Sequence, residues 1–190
     1  MNKASLPLNV ICLHFWKCER TSLLKGLNES GIVVKDYKSD NRSVLISDVS
    51  KWCDIESATS LLKHIRGYEK EKRDFAIWCA EQVTDHLDKD DSWQALNYAK
   101  NQNLDNSVLS KLREKAYSVG SDYAVIGDTS RSYAAIISAA TCRVNPAEAA
   151  RQASNYLILY AESILPARYV AQGHHENKRI QTNKFIEIFG

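Results

Sequence analysis

Thiols and imidazoles are the side chains of this chain most able to ligate a metal or attack an electrophile, and they fall in few places. Cys12 and His14 are separated by one residue, with Cys18 close behind, and His174, His175 and Glu176 are consecutive. A structural zinc site takes four ligands, typically in two close-spaced pairs. Neither cluster supplies that spacing. The first reads as core packing, with His14 alternating among apolar neighbours as a strand residue would, and the second as a solvated tail. Cys79 is followed by Glu81 and an acidic stretch, which raises a thiol pKa and works against a nucleophile. Cys142 adjoins Arg143, but consecutive helical residues point to different faces, leaving a small buried thiol. Phosphate-cradling glycine loops, G-x-S-x-G and H-E-x-x-H are absent, and Asp90-Asp91 follows a helix as a solvated pair would. The expectation is a protein with no catalytic residues, no metal and no cofactor. The contrasting class is an enzyme built on His14 or on His174 and His175, which demands a deep polar cleft gathering titratable groups.

A surface is the remaining source of function. Projecting residues 69–87 as one helix puts Ala76, Cys79, Ala80, Val83 and Leu87 on an apolar face, and Asp74, Trp78, Glu81 and Asp85 on a different one. Between Glu81 and Asp91, five acids (Glu81, Asp85, Asp88, Asp90 and Asp91) stand against the single Lys89, and Trp93 follows. An acidic surface carrying an aromatic anchor suits a basic protein partner, because the field speeds encounter and the ring supplies binding energy. The plainer alternative has the acids solvating a loop and capping the next helix while both tryptophans turn inward. On the surface reading the interface candidates are Trp78, Glu81, Asp85, Asp88, Asp90, Asp91 and Trp93.

Helices must position such a surface, and the hydrophobic spacing supplies them. The pattern predicts helices over residues 69–87, 91–101 and 106–126, the last with Leu109, Leu112, Ala116, Val119, Tyr123 and Ile126 as a packed seam. A further helix follows Gly127-Asp128, with Tyr133, Ile137, Ala140 and Val144 on one face and alanines that keep it slim. Asn145 before Pro146 is a sharp start signal for another, which Pro166 ends. The first third is less regular. VICLHFW favours a strand, a short helix ends at Ser30-Gly31, IVVKDY and SVLIS suit short strands around a polar KSDNRS turn, and residues 54–66 suit a helix stopped by Gly67. The fold class expected is mainly α, a multi-helix array of antiparallel helices, with a small β element in the N-terminal third. Residues 1–67 form a mixed segment, 68–166 the helical domain and 167–190 a polar, basic tail whose FIEIF end either docks on its own domain or meets a partner.

Bulk composition excludes more than it selects. With 44% hydrophobic and 25% charged residues and a formal net charge of +2, the chain is neither disordered nor strongly drawn to nucleic acid. Five scattered cysteines fit free thiols in the cytoplasm better than a disulfide framework. The apolar start contains Pro7, Asn9 and His14 and lacks a small-residue cleavage site, unlike a signal peptide. No stretch reaches the roughly 18 apolar residues of a membrane span.

The residues from 74 to 161 resemble the fifth of the numbered immunity-protein families found beside bacterial polymorphic toxins. The corresponding pieces are FAIWCAEQV (75–83), DKDDSWQALNYAK (88–100), LREKAYSVGSDYA (112–124) and SYAAIISAATCRVNPAEAARQASNYLILYA (132–161). Order and spacing carry the likeness, since alanine-rich helices alone match cheaply. Cys142 and Tyr117 stand where the family tends to have histidines, so any role of those histidines does not carry over. The resemblance implies a non-enzymatic inhibitor that binds a cognate toxin, a nuclease with a basic cleft being a fitting target. Alternatives are a phage or mobile-element inhibitor of a host defence complex, and a nucleic-acid binder using Arg168, Lys178, Arg179 and Lys184.

Overall fold

The computed structural model describes residues 3–87, 91–101 and 103–190. Its elements are β1 (Ser5–Pro7), α1 (Leu8–His14), α2 (Lys17–Glu29), β2 (Ser43–Leu45), α3 (Ile46–Trp52), α4 (Ile55–Leu61), α5 (Glu69–Glu81), α6 (Asp91–Ala99), α7 (Asn106–Val125), α8 (Thr129–Thr141), α9 (Pro146–Ser163) and α10 (Val170–Phe189). Helices pack on helices throughout, and the two short strands pair antiparallel with Leu6 opposite Val44. A mainly α array with a small β element near the N-terminus is therefore the architecture.

The helix starts follow from side-chain caps. Asp54 accepts from Ser57 N ahead of α4, Asp105 from Ser107 N and Val108 N ahead of α7, Asp128 from Arg131 N ahead of α8, and Asn145 from Ala147 N and Glu148 N ahead of α9. Each carboxylate or amide oxygen satisfies amides that have no partner inside the helix. The turn from α7 to α8 needs Gly127, whose φ of 80° lies in the left-handed region.

Packing follows the small residues. Gly120 of α7 lies so close to α8 that an added Cβ would sit 2.8 Å from Ile136 Cγ1 and 3.1 Å from Ser132 O. The alanines of α8 and α9, among them Ala134, Ala140, Ala149, Ala150 and Ala153, are buried in one core that runs from Ala4 to Phe189. A smaller apolar cluster of Ala95, Ala99, Leu109, Ala116, Ala139 and Cys142 fills the space among α6, α7 and α8.

Several expected boundaries move. VICLHFW is not a strand: Leu8, Ile11 and Cys12 bury one helical face of α1, while Leu13 is exposed, so the apolar run concealed a three- and four-residue period. IVVKDY forms no strand. Ile32, Val34 and Tyr37 pack against the core from irregular backbone, and β2 has β1 as its partner. SVLIS is a strand only to Leu45, after which Ile46 opens α3. The helix expected over 54–66 ends at Leu61 and tightens into a 3-10 turn, Leu62–His64. That expected over 69–87 ends at Glu81, and Thr84–His86 is a separate 3-10 turn. The seam of α7 uses Gly120 rather than Ile126, which is exposed. Val144 lies beyond α8 and is exposed too.

The tail is the largest addition to the expectation. Residues 170–189 form a helix whose Gln181, Phe185 and Phe189 recur at four-residue steps and are buried. Phe185 meets Phe75 edge-on with ring centroids 5.5 Å apart, and lies 4.6 Å from the Phe189 ring. The FIEIF end thus docks on its own chain, and Phe189 O accepts from Ala4 N at 3.4 Å beside the strand pair.

Candidate functional site

The candidate surface is carried by α5 and α6, so its geometry begins with what buries them. On α5, Phe75, Ala76, Cys79 and Ala80 are buried, as the apolar spacing requires. Two cations join them. Lys72 gives its ammonium to Ile65 O and to Glu69 Oε1 at 2.9 Å. Arg73 donates to Thr141 O, to Arg143 O at 2.8 Å and to Val144 O at 3.4 Å. Those carbonyls are at and just beyond the end of α8, where the helix dipole is negative, so the guanidinium caps α8 and fixes α5 against it.

Helix α6 is tied to α8 in the same region. Cys142 Sγ donates to Ala95 O at 3.2 Å, and Ser138 Oγ donates to Ser92 O. With Ser92, Ala95, Leu96 and Ala99 turned inward, Trp93 must face outward, and it is 37% exposed. Lys100 pins the end of α6 to the end of α5 through an ion pair with Glu81 at 2.9 Å.

The expected site residues are distributed as follows. Trp78 is half-buried and stacks on Phe75, with centroids 5.9 Å apart and planes 20° from parallel, so part of its indole belongs to the core. Glu81 is exposed and paired with Lys100. Asp85 is exposed in the 3-10 turn after α5, and among the described residues it enters no ion pair or hydrogen bond. Asp91, in the first turn of α6, lies 3.4 Å from Lys115. Asp88 and Asp90 lie outside the described residues. Asp74, on the same face of α5 as Trp78, pairs with Lys70.

Two features of this region had no local signal. His86 Nδ1 and the Tyr160 hydroxyl share a hydrogen bond at 2.7 Å, which ties the turn carrying Asp85 to α9. Burial, and secondarily the charge of Asp85, push the Tyr160 phenol upward, so it keeps its proton. A cavity of about 700 Å³ lies beside α5, with Ile77, Ala99 and Leu104 as apolar lining and Asp74, Lys70 and Lys100 among its charged residues.

The chemistry-bearing residues behave differently. His14 Nε2 lies 3.0 Å from Ser60 Oγ, and His14 Nδ1 lies 3.5 Å from His64 Nε2. Ser60 Oγ donates to Ser57 O at 2.7 Å. That proton is committed to the helix carbonyl, so His14 Nε2–H is the donor and the pair is not arranged as nucleophile and base. Burial drives the His14 and His64 values down, helped by Lys63. All five cysteines are free, and burial pushes Cys12 and Cys142 to about 11 and Cys53 to about 12, with Cys79 higher still. Protonated thiols are poor nucleophiles. His174 Nδ1 pairs with Glu162 across α9 and α10, and among the described residues no three metal-ligating side chains gather.

No helix among the described residues is long and apolar enough to cross a membrane. No family model, no curated protein and no solved structure matches the chain.

Proposed function

We propose that the chain is a non-enzymatic inhibitory binding protein of the immunity type, neutralising a cognate bacterial toxin by docking its α5–α6 corner on a basic surface. The observation that carries this reading is the company Trp93 keeps. Its outward indole shares α6 with Asp91 and follows the exposed Glu81 and Asp85 at the end of α5. The ion pairs of Glu81 with Lys100 and Asp91 with Lys115 do not remove these acids from use. Exposed pairs are worth about 0–1 kcal/mol, so a partner's arginine can replace the chain's own lysine. Trp78 contributes less than its sequence position suggests, being stacked on Phe75. The order of alanine-rich helices quoted above adds the likeness to the immunity family, and the neighbouring cavity gives the corner a recess for a partner side chain.

The nucleic-acid alternative draws on the basic tail, whose own ion pairs a polyanion could displace in the same way, and it predicts steeply salt-dependent binding, so a flat salt response removes it. Lys178 pairs with Glu56, Arg179 with Glu176 and Lys184 with Glu187, while Arg168 lies over the Tyr169 ring. Mixing the purified chain with the product of the neighbouring toxin gene is expected to give a complex at micromolar concentration. Trp93→Ala should weaken it by about 1–2 kcal/mol, roughly tenfold in Kd, without changing the chain's melting curve. Absence of a complex, or a Trp93→Ala variant binding as tightly as the original, overturns the reading. Neighbouring genes of phage origin would instead point to a host defence complex as the target.

A further inference from the structure

Residues of α7, α8 and α9 and of the turn after α8 line a cavity of about 350 Å³. Its apolar wall is Ile136, Ala139 and Ala140 of α8, the last two buried, and its outer edge carries the Tyr117 phenol, half exposed. Two guanidiniums line it from different elements. Arg113 comes from α7, and its nearest carboxylate is that of the adjacent Glu114 at 3.9 Å, the outer limit of an ion pair. Arg143 comes from the turn after α8. Its Nε donates to Gln152 Oε1, and Gln152 Nε2 in turn donates to Glu148 Oε1 at 2.8 Å. The side chain is thus held by a neutral amide, and its two terminal nitrogens meet no acceptor among the described residues.

We infer that this cavity binds a small organic anion, with a phosphate or carboxylate head between Arg113 and Arg143 and a flat apolar body against Ile136, Ala139 and the Tyr117 ring. A guanidinium presents parallel N–H donors that match both oxyanions, and an arginine already oriented by Gln152 loses less freedom on binding. A cavity of this volume holds a single-ring ligand. Glu114, also on the lining, opposes the head group; Glu148 stands behind Gln152 and feels the charge of Arg143, but its carboxylate is engaged by Arg151, and the lining itself carries two guanidiniums against one acid. The site stands apart from the proposed interface: none of its lining residues belongs to it.

Calorimetric titration of the full chain with phenyl phosphate, benzoate, inorganic phosphate and benzyl alcohol tests the inference. Saturable binding of at least one aromatic anion is expected below about 10 mM, and the tighter of the two identifies the head group. Inorganic phosphate and benzyl alcohol, each lacking half of the recognised chemistry, should bind about tenfold more weakly or not at all. Arg113→Gln and Arg143→Gln should each lose about tenfold or more, Arg143→Lys less, and Arg131→Gln, outside the cavity on the first turn of α8, nothing. Circular dichroism confirms that each variant is folded before its titration is read. No saturable heat with either aromatic anion overturns the inference. So does binding unchanged in both glutamine variants, or inorganic phosphate binding as tightly as phenyl phosphate.

Discussion

Arg73 holds the end of α8 with a charge that no carboxylate neutralises among the described residues; its partners are backbone carbonyls. Burial pulls its pKa down, but an arginine keeps its proton. Arg73→Met keeps the aliphatic bulk and strands those carbonyls, at a cost of about 3 kcal/mol, visible as a lower urea midpoint with an unchanged slope. Arg73→Lys should recover part of the loss. The His14–His64 pair makes a second prediction at this scale. Both groups titrate lower in the fold than in the unfolded chain, through burial and Lys63, with Glu19 opposing at His14. Below the ordinary imidazole value of about 6.5 the unfolded chain therefore takes up protons first. Stability should be full at neutral pH and fall as pH drops through that value, measured by urea melts at pH 7 and pH 5. His14→Gln, which keeps a donor for Ser60, should flatten part of this slope.

Helix α7 meets α8 at Gly120, where a side chain has no room before it reaches Ile136 and the backbone of Ser132. Gly120→Val forces the pair apart and is expected to cost about 1–3 kcal/mol, despite the better helix propensity of valine over glycine. Thermal melts read the cost. Separating these helices also opens the cavity between them, so the same variant should weaken capture of an aromatic anion. Helix α6 illustrates positioning by absence of bulk: Ala95 and Ala99 let it lie against α8, and that closeness turns Trp93 out.

At the scale of the molecule, α10 closes the structure by packing Phe185 and Phe189 against Phe75 of α5 and ending beside Ala4. The first and last segments therefore share the core of the central helices. Phe185→Ala should remove about 3–5 kcal/mol, a large part of the 5–15 kcal/mol typical of a folded chain. A chain truncated after residue 180 should lose its cooperative melt, recorded by near-ultraviolet dichroism. A tail that served only as a solvated arm would leave both measurements unchanged.

Much of the central helical region was legible in the sequence, because capping residues and a 3.6-residue apolar period are local properties. Asn145 starts α9 where its side chain and Pro146 predict a start, and the helices expected from the apolar period after Asp105 and Asp128 begin there, each capped by that aspartate. The first third was less legible: in VICLHFW every residue but His14 is apolar or nearly so, and such a run does not say which period it will follow. In α10, single phenylalanines four residues apart among charged ones look like a solvated tail until their partners are known. The same limit applies to the candidate site. Sequence determined which residues are acidic or aromatic and where α5 and α6 begin. Tertiary structure alone decided that Trp78 leans on Phe75 while Trp93 turns out, that Arg73 caps a helix about seventy positions away, and that Arg113 and Arg143 face one cavity. Those outcomes depend on which helices approach closely, and that is set by the summed fit of side chains distant in the chain, not by the period of any one segment.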